Sequence, residues 1–127
     1  MITRATLASL VAGTLLATAG PVRAATVLTT DALPFDATSA LLCVALNVGT
    51  RPITGMTVTM IDVATQASTT ALCGVVDPDK TCAAPIADIP VGRAFCRITF
   101  SGSSKNLRGT LMAQPAAGGV SATSQAR

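Results

Sequence analysis

Between residues 39 and 114 the chain alternates apolar and polar positions in short runs, each closed by turn residues. Ala40 to Val48 is rich in Leu and Val and closes at Gly49. Met56 to Val63 puts Met56, Val58 and Met60 on one face and Thr57, Thr59 and Ile61 on the other. Thr69 to Val76 follows, then Asp77-Pro78-Asp79-Lys80, with Asp first and Pro second as a type I turn prefers. Thr81 to Ala87, Ala94 to Ser101 and Leu107 to Gln114 complete the set, and Thr26 to Thr29 predicts a first edge strand. Runs of this length, with period two and no sustained helical period, predict antiparallel strands. The high Ala content favours helix, but the repeated Thr, Val and Ile and the turn residues outweigh it.

Parity predicts which residues face inward. Ala94, Cys96, Ile98 and Phe100 share one face, as do Leu107, Gly109, Leu111 and Ala113. If Gly102 to Lys105 closes a hairpin, Phe100 falls opposite Leu107 and Cys96 opposite Leu111, with both apolar faces on one side. Arg97 and Arg108 then share the outer face, Arg97 opposite Thr110 and Arg108 opposite Thr99.

The two ends read differently. Met1 to Arg4 is a short basic start, Ala5 to Gly20 is apolar and uncharged, and Val22-Arg23-Ala24 offers small residues at the positions a signal peptidase reads. The run is too short and too rich in Ala and Thr for a membrane span of ~20 residues. The expectation is a signal peptide over 1–24, a mature chain from Ala25 and no transmembrane segment in it. Residues 25–38 read as an extended lead-in, 39–114 as the domain, and 115–127, without an apolar stripe, as a disordered tail.

All four cysteines lie beyond the leader, in a chain expected to reach an oxidising compartment. Four cysteines allow three pairings. Cys73 and Cys82 flank the 77–80 turn and face each other if their strands meet there as a hairpin. That leaves Cys43, on the inward face of the first core strand, for Cys96, on the inward face of a late one. A bridge between an early and a late strand is what joins the two sheets of an immunoglobulin-type sandwich. Zinc or redox cysteines would favour C-x-x-C pairs, which the chain lacks.

Composition then removes chemistries. There is no His, Glu, Trp or Tyr, and Phe35, Phe95 and Phe100 are the only aromatics. Without His there is no Ser-His-Asp or Cys-His system and no imidazole metal site. Without Glu, and with Asp scattered, a paired-carboxylate hydrolase is not expected. Without Tyr or Trp the usual stacking platform for sugars and single-stranded nucleic acid is missing. Once Arg4 and Arg23 leave with the leader, seven cations face six Asp, so no broad basic field for nucleic acid remains. Met56 and Met60 as a copper site, Asp77 and Asp79 as a calcium site, and Ser103, Ser104 and Lys105 as a nucleophile pair each yield to a blander reading: core filling, turn composition and a solvated loop tip. No catalytic, cofactor or metal residue is assigned. The candidate recognition residues are Arg97 and Arg108 on the last hairpin and Asp77, Asp79 and Lys80 in the disulfide-closed turn.

The stretch from Leu42 to Met112 resembles a group of small uncharacterised exported bacterial proteins with an immunoglobulin-like β-sandwich pattern. The likeness rests on Leu42-Cys43, Asn47-Val48-Gly49, Val58-Thr59-Met60-Ile61-Asp62, Phe95-Cys96-Arg97-Ile98, Ser101-Gly102 and Leu107-Arg108-Gly109-Thr110-Leu111. It implies a fold and a compartment and carries no activity. The expectation is therefore an all-β protein, a small antiparallel immunoglobulin-like β-sandwich with two disulfides. It would be secreted to the periplasm or the medium as a non-enzymatic binding or structural module, its partner an envelope or extracellular protein. The rivals are an inhibitor-like protein presenting the 77–80 loop and a small hydrolase with an unrecognised site. A deep polar cleft joining Asp with Ser or Lys would favour the hydrolase, and a protruding rigid loop the inhibitor.

Overall fold

The alternation yields strands, and the computed structural model describes them over residues 24–36, 39–85, 92–115 and 118–127. The expected leader, Ala24 apart, lies outside the described residues. The chain is all-β: β1 (Thr26–Thr29), β2 (Leu33–Phe35), β3 (Ser39–Asn47), β4 (Ile53–Asp62), β5 (Ser68–Val76), β6 (Thr81–Pro85), β7 (Gly92–Ser101), a 3-10 turn at Ser104–Asn106, β8 (Leu107–Pro115) and β9 (Ala122–Gln125). One sheet has the order β1-β7-β4-β5, with β2 beside β1 on the same side of β7, and the other has the order β6-β3-β8-β9. Every pairing is antiparallel.

The inward faces are those the parity predicts. Leu41, Cys43 and Ala45 of β3, Met56, Val58 and Met60 of β4, Ala94, Cys96, Ile98 and Phe100 of β7, and Leu107, Leu111 and Ala113 of β8 are buried in a single cluster between the sheets. Ile61, expected on the outer face with Thr57 and Thr59, is buried, and at the start of β4, where parity also breaks, the register shows why. β4 and β5 shift against each other between Ile53 and Thr57. Gly55 and Gly74, each with φ +62°, take the left-handed bends there that other residues resist.

Both expected disulfides are present, Cys43–Cys96 and Cys73–Cys82. Both join one sheet to the other, and this corrects the two expected hairpins. β5 and β6 lie in different sheets, so 77–80 is an arch rather than a hairpin turn. β7 and β8 likewise lie in different sheets. Phe100 and Leu107 do both point inward, but toward each other's sheet; Leu107 pairs with Asn47, and Arg108 with Leu46. The reason is occupancy. β7 already carries β4 along one side and β1 and β2 along the other, so it has no free edge for β8.

The expected disordered tail is corrected too. Residues 122–125 form β9 and pair with β8, Thr110 opposite Gln125 and Ala113 opposite Ala122. The chain end then crosses to the other sheet, where Thr29 and Arg127 exchange two backbone hydrogen bonds of 3.0 Å. Ser124 is buried, and its hydroxyl accepts from the Asp31 N–H at 3.0 Å. The docking surface for this end is made by a missing side chain. A Cβ on Gly109 would collide with Ile98 Cδ1 and lie 2.7 Å from the Cβ of Ala126. The lead-in is likewise part of the packed body, since β1 and β2 line β7 and Phe35 is buried in the core.

The tail's role is therefore measurable. Gly109→Ala should lower stability by about 1–3 kcal/mol, the usual range for an extra methyl in a filled space. Deleting residues 122–127 should lower the thermal midpoint further, because it also strips β8 of its neighbour. An unchanged midpoint in thermal unfolding of the deletion variant would mean that the tail does not dock.

Candidate functional site

With strands antiparallel throughout, every second connection falls at the same end of the molecule. The links β3–β4 (48–52), β5–β6 (77–80) and β7–β8 (102–106) meet there, and each crosses from one sheet to the other. Such arches expose backbone that strands would have paired, and Asn47 supplies the missing partners. Its side chain is fully buried. Nδ2 donates to Arg51 O at 2.8 Å and to Val76 O at 2.9 Å, and Oδ1 accepts from Gly49 N at 2.9 Å. Its backbone N–H donates to Lys80 O at 3.1 Å, and its carbonyl accepts from Asp79 N at 2.9 Å. One residue thus braces two of the three arches. The third is tied in by Val48 N donating to Asn106 O at 2.9 Å. The Asn106 side chain lies only 3.0 Å from where a Cβ on Gly49 would sit, so Gly49 lets the two loops close up.

Four cations and two carboxylates stand on this braced end. Arg51, Lys80 and Lys105 are exposed on the three arches, and Arg108 is the second residue of β8. Arg108 donates to the carbonyls of Leu107 at 3.0 Å and Lys105 at 3.4 Å. Asp77 and Asp79 are the carboxylates of the 77–80 arch. Among the described residues, the side chains of Arg51, Lys80 and Lys105 have no hydrogen-bonded or ion-pair partner. A hollow of about 600 Å³ opens between two of the arches, lined by Arg51, Pro52, Ile53, Thr54, Ser101, Gly102, Ser103 and Asn106. A lining with one Arg and several hydroxyl and amide residues suits an acidic or hydrogen-bonding group from outside.

The sequence candidates divide accordingly. Asp77, Asp79, Lys80 and Arg108 belong to this end. Arg97 does not: it lies on the outer face of the other sheet, opposite Thr59 and Thr29, over the Phe95 ring at 6.0 Å. The shared Arg97–Arg108 face is therefore corrected, for the same reason as the hairpin beneath it. Ser103 caps the 3-10 turn, its hydroxyl accepting from Lys105 N at 3.3 Å. Met56 and Met60 are fully buried in the core. Among the described residues no cluster of three potential metal ligands occurs, and no helix is long and apolar enough to cross a membrane. Asn47 escaped the sequence reading. Its signal was parity, a polar residue in the inward series of Leu41, Cys43 and Ala45.

The opposite end is built on a carboxylate. Asp62 Oδ1 accepts from Ala64 N at 2.7 Å and Thr65 N at 2.9 Å, closing the β4–β5 turn. The hydrogen bond from the Thr65 backbone, helped by that from Ala64, holds its pKa below the ordinary 3.8 despite the opposing cost of desolvation. Nearby, a hollow of about 380 Å³ is bordered by Pro34, Phe35, Asp36 and Ser39. In it the Ser39 hydroxyl donates to Asp36 Oδ1 at 3.0 Å and accepts from Asp36 N at 3.1 Å.

Two measurements test these ends. Asn47→Leu should cost at least about 1–3 kcal/mol, since the partners it leaves are carbonyls and an N–H turned inward. Faster amide exchange at Gly49 and Asp79 should accompany the loss. For Asp62, a folded pKa below the unfolded one adds stability that is complete above the ordinary carboxylate range and is lost as pH falls through the folded value. Asp62→Ala should therefore flatten the dependence of the thermal midpoint on pH as pH falls below the ordinary carboxylate range. An unchanged slope would assign the acid sensitivity to other groups.

The chain matches no protein-family model, and searches of curated proteins and of solved structures find no match either.

Proposed function

We propose that the protein is an exported, non-enzymatic binding module with an immunoglobulin-like β-sandwich architecture, whose recognition surface is the basic loop end. The observation that carries this reading is the pairing of rigidity with unspent charge. Asn47 braces the arches of Arg51 and Lys80, the Val48–Asn106 bond ties in that of Lys105, and these three cations keep no partner among the described residues. A preformed cationic surface binds an acidic partner with little ordering cost.

The architecture is supported by the Cys43–Cys96 bridge between facing sheets. If β3 is taken as strand B and β7 as strand F, β4 stands beside β7 as strand C stands beside F. The departure is at the last strand. β8 pairs with β3, and β1 and β2 take the place on β7 that a G strand would fill. Export is supported by the leader pattern of Met1 to Ala24 and by the pairing of all four cysteines.

The rivals have less support. The 77–80 arch is short and pinned to Asn47 on both sides, so it does not protrude as an inhibitor loop would. The Asp36–Ser39 contact is a local turn bond between residues three apart, in a chain with no His to activate a hydroxyl.

The test is a charge reversal against a matched control. Arg51→Glu, Lys80→Glu and Lys105→Glu together should leave the fold intact, since exposed substitutions typically cost under ~0.5 kcal/mol each. In pull-downs from the native envelope fraction, the triple variant should lose the partner that the unmodified protein and Arg97→Glu both retain. Retention by the triple variant, or equal loss in the control, would overturn the reading.

A further inference from the structure

Among the described residues the two sheets have four lateral edges, and three of them are protected. On one side, the β1 edge is occupied by the Thr29–Arg127 hydrogen bonds, and β2 beside it carries Pro34. β9 is four residues long and runs into those same bonds. β6 has five residues and ends at Pro85. Short strands, proline and covered backbone are the usual devices that keep an edge from pairing. β5 has none of them before its bulge. It runs nine residues, Ser68-Thr-Thr-Ala-Leu-Cys-Gly-Val-Val76, without a charge or a proline, and among the described residues it pairs only with β4. Leu72 is 81% exposed on it and Val75 60%.

The phase of the ladder tells which backbone groups are free. Asp62 N donates to Ala67 O, and hydrogen-bonded pairs alternate along an antiparallel ladder from there. In this register Met60 faces Thr69 and Val58 faces Ala71 as bonded pairs, while Ile61–Ser68, Thr59–Thr70 and Thr57–Leu72 are the non-bonded ones. The Thr59 and Thr70 hydroxyls, 3.0 Å apart, fit the closer spacing of a non-bonded pair. The N–H and C=O groups of Ser68, Thr70 and Leu72 therefore point away from β4, toward the open edge.

We propose that this edge is the seam of a homodimer, in which β5 of a second copy pairs antiparallel across a two-fold axis at Thr70. That register sets Ser68 against Leu72 of the second copy and Thr70 against itself. Each free group then meets a free group, in about six ladder bonds. A second copy fits this edge for three reasons. The two-fold falls at the centre of the regular stretch 68–72, bounded by the β4–β5 turn and the Gly74 bulge. An uncharged strand sets no like charges opposite each other. The two exposed Leu72 side chains come onto the same outer face over the seam, each covering the partner strand. The seam ends before the 77–80 arch, so it is independent of the loop-end reading. A contact of this length falls in the small, concentration-dependent class of interfaces.

Sedimentation of the intact mature protein tests it, together with Thr70→Lys and Thr70→Glu. The unmodified protein should pass from monomer to dimer as its concentration rises toward millimolar. Each charged variant alone should stay monomeric with a near-native thermal midpoint, because it opposes its own charge across the axis. The two variants mixed should recover the dimer, as a heterodimer. An unmodified protein that stays monomeric throughout would overturn the proposal, as would a charged variant that still dimerises like it. Failure of the mixture to recover the dimer would overturn the axis at Thr70.

Discussion

The fold depends on joining two sheets that have little bulky matter between them. Phe35 and Phe100 are the only aromatic side chains buried there, and Ala and Cys hold seven of the other core positions. Small side chains remove less apolar area from water, so burial supplies less per residue than in an aromatic core. The Cys43–Cys96 bridge stands in the middle of this layer and closes a 53-residue separation. By loop-closure entropy it contributes ~4 kcal/mol, against a typical domain stability of ~5–15 kcal/mol. The Cys73–Cys82 bridge closes only a 9-residue separation, for which the same relation gives ~2.5 kcal/mol. Its position counts for more than its loop, because it fastens β5 to β6 along one open side of the two-sheet body. On the opposite side the same closure is made without covalent chemistry, by Thr29 and Arg127.

Which residues face the core was legible, and which strands lie side by side was not. Period two assigns a face to every residue of a strand, and the buried series of β3, β4, β7 and β8 follow it. But parity has the same value for a hairpin and for an arch. A chain that turns back beside itself and a chain that crosses to the facing sheet both return its apolar residues to the interior. The disulfide pairing survived this ambiguity because facing cysteines can be bridged in either geometry. The Arg97–Arg108 surface did not survive, because outer faces coincide only within one sheet. What decides between the geometries is edge occupancy, a property of the whole sheet. The strands that fill β7 on one side come from residues 26–35, far away in sequence.

The tail and Asn47 were missed for opposite reasons. Ala122 to Gln125 has too little hydrophobicity to announce a strand, and only Ser124 in it is buried. Its docking depends on a surface prepared elsewhere, the absent side chain at Gly109 and the open N–H of Asp31. Asn47 does carry a local signal, since it falls in an inward series of apolar residues. A buried amide has to satisfy two donors and an acceptor, and the arches around it offer two carbonyls and one N–H. Among the described residues no buried side-chain nitrogen or oxygen lacks a partner. Asn47 is thus placed where the crossing loops leave backbone groups turned away from any strand.

The same crossing explains why the cationic surface is at that end. A hairpin pairs its own flanking strands and spends its backbone groups on itself, as the β4–β5 turn does around Asp62. An arch cannot do so, and three of them meeting at one end need bracing from a residue between them. Once Asn47 fills the buried side of that demand, the side chains on the outer side of the arches are left with solvent. Arg51, Lys80 and Lys105 therefore stand on backbone that is fixed from beneath, with no structural duty of their own among the described residues. Charges that the fold does not use, held on a rigid support, are free for use between molecules, and this makes the loop end a better recognition surface than the flat outer face around Arg97.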